Sequence, residues 1–489
     1  LENIRDISRD RIRAACAPEA VARIEKGRKA LEDLLASGER VYGVNTGVGG
    51  NIKYELTPDQ AELLPLNIMR HLSCATGRPL PEDVVRGAMV LRLATFATGC
   101  SGIRPALCSA LLRLLNAGIT PIVPRYGSVG ASGDLMPSAY IARVLIGMGE
   151  AMYGGNRMTA SDALAAADLK PIEFAPKEGL ALINGTTMMT SIAALMLPDA
   201  AAILRALLNA IALAIEALEV PAEPYEPFVH AMKVHPGQIA VAKYICRQLR
   251  GSGLAVDPAR QSCYSLRCCP QGLGPCWEAF EEGRAVVERE INSANDNPLI
   301  DPETGRVYRA GNFYGGHISR ALDTWKIDFA IIGNWANALM AVLVDDRFNF
   351  GLPANLVPNP GVNSGLKGMQ LSVTSLACAL RQFAGPSSIH SLPTEQYNQD
   401  VVSLGMHSAV TAMDAVECLR NEVAMVLLAA AQAVDLRGCA GRLGEGNRAS
   451  YEAVRAISPF LDCDRPLEHE VAAIANAMMD HNRGFARPT

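Results

Sequence analysis

Three stretches of the chain are apolar on nearly every side of a helical wheel: Met188–Leu218, Ile327–Val344 and Val423–Val434. In a globular chain, a helix without a polar face is buried all round. The three therefore predict a central bundle, completed by neighbouring subunits of an obligate homo-oligomer. The first is long enough to suggest a membrane span, but Pro198, Asp199, Arg205, Asn209 and Glu216 interrupt it. No window of about 20 residues is left free of charge. Arg437 and Gly438 follow the third stretch in the manner of a helix end.

Upstream the pattern is mixed. Helical periodicity runs through Ala14–Leu35, Asp83–Thr98, Arg104–Leu115 and Leu135–Ile146, with glycine-rich loops at Val41–Gly50 (VYGVNTGVGG) and Gly127–Gly133 (GSVGASG). A short extended piece, Thr120–Val123, ends at Pro124, and turn signals within Asn295–Gly316 predict a hairpin. The fold class is mainly α: a glycine-rich N-terminal head, residues 1–187, on a long central helical bundle with a C-terminal helical region, residues 188–489.

Composition narrows the function. Of 489 residues, 49% are apolar and 19% charged, which excludes a disordered chain. With 45 Lys and Arg against 50 Asp and Glu, the formal charge is −5, leaving no basic footprint for nucleic acid or an anionic membrane. A small molecule is the expected partner. The 13 cysteines are odd in number, include the adjacent pair Cys268 and Cys269, and form no CxxC. They read as mostly buried free thiols in a reducing, cytoplasmic setting rather than a disulfide or zinc framework. The first residues, with Arg5, Asp6, Arg9, Asp10 and Arg11, do not form a secretory apolar region.

The glycine loops fit no phosphate or dinucleotide fingerprint, because no GxGxxG or GKS/GKT is present. Ser132 lies in GASG rather than GxSxG, so a hydrolase elbow is excluded. His230 and His235 miss the i, i+4 spacing of a helical zinc pair, and no metal is expected. Ala131-Ser132-Gly133 followed by Asp134 has a plain reading: Ser or Asp caps the helix starting at Leu135. It also has a chemical one. In a tight loop the Gly133 nitrogen can attack the Ala131 carbonyl, helped by the missing Cβ of glycine. Dehydration of Ser132 then leaves 4-methylidene-imidazol-5-one (MIO), an electrophile that no ordinary side chain supplies.

Around that loop the chain resembles the aromatic amino acid and histidine ammonia-lyases and their related aminomutases, most nearly the bacterial tyrosine ammonia-lyases. The resemblance runs in order through VYGVNTGVGG (41–50), GSVGASGDLMPSAY (127–140), GLALINGTT (179–187), QSCYSLRCCPQ (261–271), NDNPL (295–299), GNF (311–313), NSG (363–365) and EQYNQDVVSLG (395–405). It implies a fumarase/aspartase-like, mainly α homotetramer whose active sites draw on several subunits, with MIO from Ala131-Ser132-Gly133 and no external cofactor.

The resemblance also implies roles. Ser132 supplies the methylidene carbon, and Tyr42 is the base for the substrate's β-proton. A phenol titrates near 10, so the site must lower its pKa or favour its phenolate. The glycines around Tyr42 suggest a mobile lid. Arg267 grips the substrate carboxylate, Tyr264 and Asn184 orient substrate and ring carbonyl, and Phe313 packs beside the ring. Gln261, Glu395 and Gln399 line the amine side. His71 and Leu72, with Asn398 and Gln399, bear on the side-chain pocket. His-Leu is the tyrosine-selective pattern, and an imidazole buried at the ring end can hydrogen-bond a para-hydroxyl; Gln399 replaces the Glu of histidine lyases. The expected reaction is L-tyrosine to 4-coumarate and ammonia. Val48, where Phe is common, widens the pocket and leaves phenylalanine or hydroxylated and methoxylated phenylalanines open. A 2,3-aminomutase is the competing activity.

Overall fold

The computed structural model describes residues 1–254 and 256–480; of the C-terminal region drawn above, 481–489 lie outside the described residues. The chain is mainly helical and divides into two compact units. The first comprises Leu1–Leu195, Arg284–Asp323 and Pro386–Val410; the second comprises Met196–Gly283, Thr324–Gly385 and Thr411–Thr489. The boundary drawn after residue 187 falls inside the first unit, which also takes in two later segments. Patterning along a chain does not register segments that pack together from far apart in sequence.

In the first unit the helices Pro18–Ala36, Glu82–Ala97, Pro105–Asn116 and Leu135–Leu145 lie close to their sequence-derived bounds. The first starts at Pro18 rather than Ala14 because proline at the first helical turn presets φ and needs no amide partner. Pro58–His71 is a further helix, opened by a capping box between Thr57 and Gln60. Three small antiparallel sheets accompany the helices. Pro124, read above as ending an extended piece, instead begins a strand, Pro124–Tyr126, that pairs with Thr76–Pro79. The expected hairpin forms between Leu299–Ile300 and Val307–Tyr308. Leu31, Val41, Val44 and Ile300 make one buried cluster, so the hairpin and the Pro18–Ala36 helix fix the root of the 41–50 loop. Each such side chain contributes about 1.5–3 kcal/mol by burial.

The second unit is built from long helices, including most of Thr187–Ala217, Gly316–Val344 and Gly405–Arg437. Phe280, Trp325 and Phe329 pack in its core, the first two edge to face at 6.4 Å. The Thr187–Ala217 helix is a core helix, with 89% of its most apolar window buried. Gly316–Val344 departs from the all-round burial read from its sequence: only 56% of its window is buried, and Ile327 is 44% exposed. The single chain leaves that stripe uncovered. Gly438 has φ +65°, the left-handed conformation of a helix-ending glycine. All 13 cysteines are unpaired, but Cys74, Cys246, Cys378 and Cys463 are exposed, so burial accounts for only some of them.

Candidate active site

A cavity of about 870 Å³ opens within the first unit. Its wall brings together Tyr42, Val48, His71, Leu72, Ala131, Ser132, Gly133, Asn184, Phe313, Glu395, Asn398 and Gln399. Gln261, Tyr264 and Arg267 are not among its lining residues; all three belong to the second unit. Tyr264 is 67% exposed, the Arg267 guanidinium stacks 4.7 Å from its ring centroid, and Arg267 Nε is buried without a partner.

The 127–133 loop is clamped on both sides. Ser128 Oγ donates to the Gly133 carbonyl (3.1 Å), the Gly185 amide donates to Ser132 O (3.2 Å), and the Asp134 amide donates to Gly185 O (2.7 Å). Gly133 has φ +74°, and a Cβ there would stand 2.0 Å from Gly185 O and 2.9 Å from Phe313 O. Only a residue without a side chain fits. The small residues, the clamped bend and the opening of Ser132 into the cavity all fit closure of an Ala131–Gly133 ring.

Asp134 overturns the plain reading of this segment. It precedes the Leu135–Leu145 helix, yet its side chain makes no cap bond there. Instead Oδ2 accepts from the amides of Met188 (2.8 Å) and Met189 (2.9 Å). The carboxylate thus satisfies the unpaired first-turn donors of the Thr187–Ala217 helix, where a negative charge is favoured.

Tyr42 lies between the buried Val41 and Val44, and its Oη accepts from the Gly49 amide at 2.7 Å. Burial pushes its pKa above the usual value; the Gly49 amide opposes the rise, Glu395 adds to it, and the Arg309 guanidinium opposes it. The lowered pKa expected of a general base is therefore not present in the chain alone, because desolvation outweighs the one amide and the one cation that favour phenolate. Glu395 Oε1 accepts from the Gly50 amide (2.8 Å) and Oε2 from Asn398 Nδ2 (2.7 Å), tying the 394–399 loop to the 41–50 loop.

At the other end of the wall His71 ends the Pro58–His71 helix, with Leu72 buried beside it. Its ring is exposed rather than buried, since the last turn of the helix faces open space in the single chain. Nδ1 lies 3.0 Å from Asn67 O. A carbonyl can only accept, so Nδ1 carries the proton and Nε2 is left as an acceptor. Asn184 is buried and donates to Leu180 O at 3.1 Å, which fixes its amide at the end of the Glu178–Ile183 helix.

Sequence reasoning missed Arg309, Asn297, Met136, Leu180 and Ile183 in the wall. Asn297 stands in NDNPL and Arg309 four residues before Phe313, so adjacency to the matched motifs was the available signal.

The sequence profile of the family described as "Aromatic amino acid lyase" matches residues 1–456. A histidine ammonia-lyase of Symbiobacterium thermophilum is 37% identical over 97% of this chain and 94% of its own length. Among solved structures, the phenylalanine aminomutase of Pantoea agglomerans superposes with a TM-score of 0.94, at 33% identity over 98% of this chain and 96% of that one. The tyrosine aminomutase of Streptomyces globisporus superposes at 0.93, with 34% identity over 98% and 94%. These relatives share the family without sharing one substrate, and none is named a tyrosine ammonia-lyase.

Proposed function

Because the chain belongs to the aromatic amino acid lyase family, and so is a carbon–nitrogen lyase acting on a small amino acid, we propose that it converts L-tyrosine to 4-coumarate and ammonia. The observation that carries this reading is the single cavity wall shared by Tyr42, the Ala131–Gly133 loop, Phe313 and His71. The MIO formed from Ala131, Ser132 and Gly133 supplies an electrophilic carbon that draws electrons from the substrate's amino group and makes it a better leaving group.

The remaining work falls to ordinary side chains. Tyr42 Oη takes the β-proton, the Cα–N bond breaks, and the electrons of the lost C–H bond become the double bond. Gly49 donates to the oxygen that bears the charge, a placement that stabilises phenolate more than phenol. Asn184, held by Leu180, presents its amide to the reacting end. Glu395, Asn398 and Gln399 form the polar wall on the amine side, and Phe313 with Leu72 excludes water. His71 Nε2 accepts the substrate's phenolic hydroxyl. Val48 leaves room beyond an unsubstituted ring.

Gln261, Tyr264 and Arg267 are assigned to the cavity of a neighbouring subunit in a homotetramer, with Arg267 gripping the carboxylate in two parallel bonds. The exposed Tyr264, the unpartnered Arg267 Nε and the uncovered stripe on Gly316–Val344 support that assignment. The lid and ring-forming loops then belong to the first unit, and the long helices of the second carry the assembly. The unpaired thiols suit a reducing cytoplasm.

The two aminomutase structures favour a second reading, in which the ammonia is held and re-added at the β-carbon. Turnover on tyrosine, phenylalanine, histidine and 4-methoxyphenylalanine, with product analysis, separates the cases. Aryl-acrylate from tyrosine at the highest kcat/KM supports the proposal. A β-amino acid product sinks the lyase reading, and preferred turnover of histidine or phenylalanine sinks the tyrosine assignment.

A further inference from the structure

Arg267 ends a helix of only four residues, Tyr264–Arg267, too short to hold its own direction. Four residues beyond Leu266 stands Pro270, which has no amide hydrogen to complete a helical bond to the Leu266 carbonyl. Side chains from distant segments of the second unit supply donors instead. The Tyr225 hydroxyl donates to Leu266 O, and Trp335 Nε1 donates to Ser265 O at 3.2 Å. Gly272 makes room for the indole, since a Cβ there would stand 2.1 Å from its ring.

Tyr225 is itself held by a run of buried bonds. It is 1% exposed, its hydroxyl accepts from Cys269 Sγ (3.8 Å), and its carbonyl accepts from Cys246 Sγ (3.2 Å). Burial raises the phenol well above its ordinary pKa, and the surrounding thiols add to that rise, so the hydroxyl stays a donor. The carbonyl of the preceding Pro224 lies 3.0 Å from His230 Nε2. A carbonyl can only accept, so Nε2 carries the proton and Nδ1 accepts from Gln238 Nε2 at 2.9 Å. His230 is 1% exposed and Gln238 3%. The histidine whose spacing excluded a zinc pair is thus an internal link, from Gln238 through the Pro224–Tyr225 backbone to Leu266.

Resting on the assignment of Arg267 to the substrate carboxylate, we propose that Tyr225 is a positioning residue for substrate binding: seated by His230 and Gln238, it fixes the Leu266 carbonyl and so aims the Arg267 guanidinium. Tyr225 touches neither substrate nor the reacting atoms. Two parallel bonds to a carboxylate need the plane of the guanidinium set in direction as well as distance. Little else sets it, because Arg267 Nε has no partner and the ring it stacks on, Tyr264, rides on the same turn. If the turn rotates, both side chains rotate with it. The carboxylate is common to every amino acid, so the inference does not depend on tyrosine being the substrate. A grip that is equal in ground state and transition state shows in KM and not in kcat.

The test is a double-mutant cycle on the best substrate among tyrosine, phenylalanine and histidine. KM and kcat are measured for the parent, Tyr225→Phe, Arg267→Lys and the double variant, with circular dichroism and oligomer size as controls for folding. Tyr225→Phe should raise KM at least about fivefold and leave kcat within about twofold. Arg267→Lys should raise KM at least about tenfold. Adding Tyr225→Phe to it should change KM less than about twofold, because a flexible ammonium has no plane to aim; a merely structural role would add its full effect in both backgrounds. An unchanged KM in folded Tyr225→Phe, a loss confined to kcat, or full additivity overturns the proposal. An unchanged KM in Arg267→Lys overturns the assignment of Arg267, and this inference with it. A crystal structure of the parent with 4-coumarate decides the matter even if Tyr225→Phe does not fold. Tyr225 should donate to Leu266 O while Arg267 holds the carboxylate, and a Leu266 carbonyl turned away from Tyr225 in that complex overturns the proposal.

Discussion

Replacing His71 by Phe tests the substrate assignment where it is most exposed to failure. In the parent the bond from Nδ1 to Asn67 O, 3.0 Å long, fixes the tautomer and leaves Nε2 as a lone acceptor in the cavity wall. Tyrosine can donate its hydroxyl to that nitrogen; phenylalanine leaves it unsatisfied. A net hydrogen bond between neutral groups is worth about 1 kcal/mol, and the open ring of His71 argues for that figure rather than the larger cost of a sealed site. In His71→Phe, tyrosine loses about 1 kcal/mol, and phenylalanine recovers a similar amount by meeting an apolar ring. The two changes act in opposite directions on one ratio, so about 2 kcal/mol separates the variants, which is more than tenfold in relative kcat/KM. Initial rates of aryl-acrylate formation on both substrates give the ratio, and the mass of the 131–133 peptide confirms that the loop chemistry is intact. 4-Methoxyphenylalanine sharpens the test because its oxygen cannot donate: the parent should disfavour it and the variant should not. If the tyrosine-to-phenylalanine ratio stays within about twofold, His71 does not read the ring, and the wider pocket at Val48 becomes the better guide to the substrate.

Ser132→Ala should fold with unchanged circular dichroism, fail to lose two waters, and show no turnover; retained activity would remove the ring from the mechanism. Tyr42→Phe should still dehydrate its loop yet lose about 10²–10⁴ in kcat, the usual share of a general base, and near-normal kcat would place the base elsewhere. In Arg309→Met the cation that opposes the raised Tyr42 pKa is gone. The phenol then deprotonates at higher pH, so the acid limb of kcat/KM should move to higher pH while the alkaline plateau changes little; an unmoved limb refutes the role of Arg309. Co-assembly of two inactive variants, Tyr42→Phe and Arg267→Met, should regain activity if each cavity takes Arg267 from a neighbour, and none if both residues serve the same chain.

Helix positions were legible where a local rule decided them. The apolar run of Thr187–Ala217 and the periodicity of Glu82–Ala97 and Pro105–Asn116 show in composition alone. The hairpin joining Glu150–Tyr153 to Asn156–Thr159 through Gly154 and Gly155 carried a turn signal that was passed over. Asp134 could not be read correctly by any local rule. Its position before an apolar run says cap, and the helix it caps begins more than fifty residues later. The same holds for Tyr42: the sequence supplies a phenol among glycines, whereas its basicity depends on Gly49, Glu395 and Arg309, two of them distant in the chain.

The lid shows how one signal can have two physical causes. Glycines around Tyr42 suggest mobility, because glycine leaves the backbone free. In the folded chain Gly49 has φ +56°, its amide donates to Tyr42 Oη, and a Cβ there would stand 2.1 Å from Glu395 Oε1. Gly49 is thus required by close approach in the folded chain. The neighbouring Gly50 amide is bonded to that same carboxylate oxygen, so two successive amides of the loop are taken by Tyr42 and by Glu395. On the proposed reading, opening of the 41–50 loop as a lid would break both bonds together. It would strip the phenolate of its donor at the moment water enters, so that Gly49 favours the deprotonated form of Tyr42 only when the cavity is shut. On the same reading, a base whose charged form loses its donor on opening would spare the electrophile beside it, and the glycine-rich sequence follows as much from the close approach at Gly49 as from a need to move.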